Sequence, residues 1–150
     1  MKGSKFLFGL SCGVLLLVAL FTALASFASL GRAYSHSVES VGTVTTDQIR
    51  SAGGDEAVAE FKARRVTAAT WALAFAILFG WVVFDPYRKG SRWAWWAMLV
   101  SLGLPQLLSL LRVPLLGTQS GAGTSAALLA FLLIGLLAGV PRIFSPQVKL

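Results

Sequence analysis

The side chains that could do chemistry in this chain are few and scattered. Cys12 is the only cysteine in 150 residues and His36 the only histidine. A single thiol forms no internal disulfide, and zinc or thiol-redox sites need more than one. Cys12 therefore reads as a small buried residue of an apolar run. His36 falls in a Ser-rich loop without the His/Glu companions that a hydrolase or metalloprotease requires. It reads as a solvated loop residue, with pH sensing as the alternative. Asp85 stands close to Arg88 and could be taken for a catalytic acid, but Asp-Pro at a turn is ordinary turn chemistry. These residues predict no catalytic site, no metal and no cofactor.

The most polar group deep in an apolar run is Gln106, beside Pro105 and on the same stretch as Ser101 and Ser109. Two roles fit it. A proline-kinked helix carrying an amide and an open carbonyl could line a polar cavity or bind a lipid-like ligand. Alternatively the amide hydrogen-bonds to a neighbouring helix, worth about 1 kcal/mol in a membrane. No Asp, Glu, Lys, Arg or His lies in the middle of any apolar run, although proton-coupled pumps and ion pathways typically need such groups there. Small multidrug transporters rely on a glutamate in their first helix, and membrane disulfide enzymes rely on paired cysteines; this chain has neither.

Four apolar blocks must position these residues. Hydrophobic residues make up 56% of the chain and charged ones 13%, against about a quarter charged in soluble domains. The charges fall almost entirely between the blocks, and about 20 apolar residues match a hydrocarbon core about 30 Å thick. The expected helices cover about 6–28, 56–84 with its membrane part at 66–84, 93–111 and 125–140. Residues 31–65 form a partly helical extramembrane segment. Within it Thr45 and Gln48 have capping-box spacing, Gly53-Gly54 breaks the chain, and Asp55 can cap the helix that follows. Pro86 is expected to end the second helix, Ser91 to cap the third, and Pro105 to kink it.

Block one begins after Lys2 and Lys5 and could be a cleaved secretory signal with Ala23-Leu24-Ala25 as its site, leaving three mature spans. Its apolar run is longer than the usual signal core, which favours a retained helix and four spans. Four spans put both termini and the 85–92 turn on one side. Seven Lys and Arg then face six on the other side, so total charge hardly decides the orientation. The short basic turn at 85–92 tips it toward cytoplasmic termini. The net charge of +7 reads as helix anchoring and contact with anionic lipid, with no separate basic module for nucleic acid.

Small residues recur at four-residue spacing: Gly9 and Gly13; Ala68, Ala72, Ala76 and Gly80; Gly135 and Gly139. That spacing places each set on one helix face, where backbones can approach closely. Packing within the bundle is the plain reading. The sharper one sends a stripe, Gly135 with Gly139 foremost, toward a membrane-protein partner or a second copy. At the basic turn, Arg88, Lys89 and Arg92 precede Trp93, Trp95 and Trp96, an interfacial anchor able to meet lipid head groups. The stretch Pro86-Tyr87-Arg88-Lys89-Gly90-Ser91-Arg92-Trp93-Ala94-Trp95-Trp96 resembles a turn in small, uncharacterised four-helix membrane proteins of bacteria. In those, a basic-Gly-x-Arg turn leads into a Trp-Ala-Trp helix start. The resemblance covers residues 86–96 and the four-helix layout, implies the bacterial inner (plasma) membrane, and carries no activity.

The expectation is therefore an all-α membrane protein, a single four-helix transmembrane domain over residues 1–150. Its expected role is non-enzymatic, structural or accessory, through packing with partners or with itself. A small transporter or lipophilic-ligand-binding bundle with a pocket near Pro105 and Gln106 is the alternative.

Overall fold

The computed structural model describes residues 2–35, 40–41, 44–117, 119 and 121–144; His36 and Lys149 lie outside these. In chain order they form α1 (Lys2–Tyr34), β1 (Ser40–Val41), β2 (Val44–Thr45), α2 (Thr46–Val82), a π-helical turn (Val83–Tyr87), α3 (Arg92–Met98), a second π turn (Leu99–Gly103), α4 (Leu104–Leu116) and α5 (Ala122–Ile143). The fold is all-α apart from one antiparallel ladder, in which Ser40 pairs with Thr45 and Val41 with Val44. Four helical stretches are long and apolar enough to cross a membrane: Lys5–Tyr34, Thr46–Tyr87, Arg92–Leu116 and Ala122–Ile143. The contacts group into two compact units, Met1–Leu20 with Leu78–Leu150 as unit 1 and Phe21–Ile77 as unit 2.

In unit 2, α1 runs on to Tyr34 rather than stopping near 28. No proline interrupts that stretch, and α2 supplies donors where the helix ends. Lys62 Nζ donates to the Ser35 carbonyl at 2.6 Å, and Arg65 Nε donates to Ser29 Oγ at 3.2 Å. A cation at a helix C-terminus satisfies unpaired carbonyls and meets the negative end of the dipole. The start of α2 is the capping box read from the sequence. Gln48 N donates to Thr45 Oγ1 at 3.3 Å, and Thr45 N donates to Gln48 Oε1 at 2.9 Å. Gly54, at φ 73° and ψ −170°, breaks the helix. Arg50 bridges the break from Asp47 (3.2 Å) to Asp55 (2.8 Å), so the Asp55 carboxylate serves the arginine. Both pairs are exposed and worth only tenths of a kcal/mol.

Unit 1 differs from the sequence expectation at its prolines. The second apolar helix does not end at Phe84. It passes through Pro86 in the π turn, where Arg88 N donates to the Val83 carbonyl at 3.2 Å. The wider turn bypasses the donor that proline lacks. The chain then reverses at Gly90, φ +84°, and Ser91 Oγ caps α3 by accepting from Ala94 N at 3.5 Å. Pro105 sits in the first turn of α4, just after the second π turn, so the irregularity expected at the proline lies mainly upstream of it. Pro114 is likewise accommodated. Helix α4 continues past Leu111 to Leu116 and stops at Gly117, whose left-handed φ of 65° lets its N–H reach the Val113 carbonyl. Helix α5 extends beyond 125–140 at both ends, to 22 residues, about 33 Å at the α-helical rise.

The core of unit 1 follows helical spacing. Phe8, Ser11, Leu15, Val18 and Ala19 are buried on α1, and Leu132, Leu136 and Ile143 on α5. On the third span Ala94, Met98 and Leu102 are buried four residues apart. That interval suits a π turn, which holds more residues per turn than the α-helix and keeps Leu102 on the inner face.

Candidate functional site

The most developed polar arrangement in unit 1 lies among apolar side chains and joins three elements. Ser11 on α1 and Tyr87 at the end of the π turn are both fully buried. Ser11 Oγ donates to the carbonyl of Gly135 on α5 at 2.6 Å. The Tyr87 hydroxyl is 2.6 Å from Ser11 Oγ. Serine has one proton, already committed to the carbonyl, so Tyr87 must be the donor to Ser11. The result is a directed chain, Tyr87 O–H to Ser11 O–H to Gly135 C=O.

Glycine at two positions makes this chain possible. A Cβ on Gly139 would collide with the Tyr87 hydroxyl and would stand 3.0 Å from Ser11 Oγ. A Cβ on Gly135 would stand 2.8 Å from Leu15 Cδ2. Gly135 and Gly139 are both buried. Tyrosine, serine and leucine of the same chain occupy the surface of this pair, whose sharper expectation was a membrane-protein partner or a second copy.

Chemically the arrangement is closed. A serine nucleophile needs a base to take its proton, and the acceptor here is a backbone carbonyl. Each hydroxyl proton has a partner, so the chain fixes helix register without activating an oxygen.

Two further side-chain donors reach α5 backbone carbonyls. Trp95 Nε1 donates to Leu136 O at 3.0 Å, and Arg92 Nε to Ile143 O at 3.3 Å. Trp95 also meets Phe144 edge-to-face, ring centroids 5.4 Å apart. Trp95 and Arg92 thus tie α3 to α5, whereas Trp93 and Trp96 project outward, 67% and 54% exposed. Arg88 and Lys89 are also exposed, and Lys89 pairs with Asp85 at 2.6 Å.

The residues expected near Pro105 lie at different depths. Ser101 and Pro105 are exposed and Gln106 is half-buried. Ser109 accepts a hydrogen bond from Ser125 Oγ at 2.9 Å, which joins α4 to α5. Of the remaining small residues, Gly9 and Gly13 face outward with nothing within 4 Å of where a Cβ would stand. Gly80 lies against Ala19, its Cβ position 3.6 Å from the alanine methyl. Ala76 is buried and Ala72 half-buried in unit 2.

Among the described residues, no three His, Cys, Asp or Glu side chains converge as metal ligands. Sequence reading missed Ser11 and Tyr87. Ser11 does carry a signal: it is a hydroxyl in an apolar run, three residues after Phe8 and four before Leu15, and so on their face. Tyr87 carries none, because its burial depends on the helix continuing past Pro86. The chain matches no protein-family model, no curated protein and no solved structure.

Proposed function

We propose that this chain is a multi-pass membrane protein of structural or accessory role, non-enzymatic, which works by packing against a membrane partner or a second copy. The observation that carries this reading is the closed hydrogen-bond chain Tyr87–Ser11–Gly135, together with the outward, unoccupied face at Gly9 and Gly13. Polar groups inside unit 1 are committed to joining helices, and the four spans present apolar side chains outward. Such a surface suits lipid and neighbouring helices better than an aqueous substrate.

The same reading places the protein in a bacterial inner membrane, with its termini and the 85–92 turn on the cytoplasmic side. The basic residues Lys5, Arg88, Lys89, Arg92 and Arg142 support that orientation, and Trp93 and Trp96 act as interfacial anchors. The placement of Ser101 and Pro105 on an exposed face weighs against a ligand pocket around Gln106.

Cross-linking in native membranes, followed by purification in mild detergent, tests the proposal. A discrete cross-linked species that persists as a complex is expected. A strictly monomeric protein with no cross-linked neighbour would defeat it.

A further inference from the structure

Cations gather at the end of unit 1 that carries the 85–92 turn, with almost no acid to match them. Five of the six Asp and Glu residues fall between positions 39 and 60, which leaves Asp85 as the one acid in unit 1. Asp85 is already held by Lys89. Among the described residues, no carboxylate pairs with Arg88, Arg92 or Arg142.

Each of these guanidinium groups lies over a phenylalanine ring instead. Arg142 is 4.2 Å from the Phe8 centroid, Arg92 is 5.6 Å from Phe144, and Arg88 is 5.8 Å from Phe84. Further contacts link residues that flank these stacks in the chain. Phe8 stacks on Tyr87 at 5.5 Å, next to Arg88, and Arg92 donates to the carbonyl of Ile143, next to Arg142. A ring beneath a guanidinium holds its plane and leaves its edge N–H groups for an acceptor elsewhere. Paired N–H groups on that edge match two oxygens of a phosphate. The cluster borders exposed apolar surface at Phe84, Trp93 and Trp96, from which a free anion would gain nothing and an acyl chain would gain burial.

We propose that this cluster binds the phosphate of an anionic phospholipid head group. Arg142 and Arg92 present N–H groups to the phosphate, Arg88 adds a third charge, and Trp93 and Trp96 flank the glycerol and upper acyl chain. The site rests on the reading of the helices as membrane-embedded, in lipid or in a detergent micelle, and requires no protein partner, so it can hold or fail independently of the cross-linking result.

The test uses the full chain in mild detergent. Thermal unfolding is followed as phosphatidylglycerol, phosphatidylcholine or inorganic phosphate is added, and retained lipid is counted by native mass spectrometry. Phosphatidylglycerol is expected to raise the unfolding midpoint with concentration, as a ligand of the folded state must, and to remain bound. The other two additions are expected to do neither. Arg92→Gln and Arg142→Gln should each weaken apparent lipid affinity about fivefold, while Arg112→Gln, near the C-terminal end of α4, leaves it unchanged. Equal stabilisation by phosphatidylcholine or by inorganic phosphate would overturn the proposal, as would an equal loss on Arg112→Gln. The comparison among additives uses the unaltered chain and decides the matter even where a variant fails to fold.

Discussion

A hydroxyl inside an apolar bundle must find an acceptor, because an unpaired polar group there costs several times what a made hydrogen bond contributes. Ser11 meets that demand by reaching the Gly135 carbonyl, and Tyr87 meets it by donating to Ser11. Gly139 leaves the room for the tyrosine ring to arrive. Gly139→Ala is therefore expected to destabilise the protein by about 1–3 kcal/mol, the usual cost of overpacking. The cost should shrink when Tyr87→Phe removes the colliding oxygen, a coupling that a double-mutant cycle reads directly. Gly9→Ala, which meets nothing within 4 Å, should change stability by no more than about 0.5 kcal/mol. Thermal or urea unfolding in detergent measures all three. Equal costs for Gly9→Ala and Gly139→Ala would sink the distinction between the two glycine pairs.

At the scale of elements, local chemistry and tertiary contact divide the work. The start of α2 is set locally: Thr45 and Gln48 exchange hydrogen bonds, and Gly54 adopts a left-handed φ that L side chains rarely hold. Gly54→Ala is expected to cost about 1–3 kcal/mol of local strain, concentrated on the short helix before the break. Hydrogen exchange followed by mass spectrometry should show protection lost over 46–53 and kept over 56–82. Uniform loss over both stretches would contradict a local origin. The prolines behave differently. Pro86 and Pro105 each accompany a π turn, and Pro114 lies inside α4. Proline removes one backbone donor, but whether the helix then ends, kinks or widens depends on what packs around it. That is why the sequence expectation of helix ends at Phe84 and Leu111 differs from the observed ends at Tyr87 and Leu116.

For the molecule as a whole, the proposed arrangement puts the 85–92 turn and the α4–α5 connection on opposite sides of a membrane. On a Cys12→Ala background, Lys89→Cys should react with a membrane-impermeant thiol reagent only from the cytoplasmic side. Gln119→Cys should react only from the outside. Labelling of both from one side would refute the four-span arrangement, and an inverted pattern would reverse the orientation. In that arrangement Lys and Arg would total seven on one side and six on the other, so total charge hardly favours either orientation.

The sequence by itself determined the four helices long and apolar enough to cross a membrane, the capping box, the Gly54 break, the Ser91 cap and the absence of charge from the middle of the apolar runs. These are decided by composition and by neighbours in the chain, through transfer free energy and local backbone chemistry, so they can be read without a fold. Tertiary structure alone decided which face of each helix turns inward. It directed Gly135 and Gly139 toward Tyr87 and Leu15, left Gly9 and Gly13 open, and turned Ser101 outward while Leu102 packed inside. The physical reason lies in the uniformly apolar helices: when outward-facing and core-facing residues are equally hydrophobic, no period in the sequence marks the inner face. The orientation of each helix is then set by shape, by the π turns that shift its register, and by the few hydroxyl, indole and guanidinium donors that must find a carbonyl.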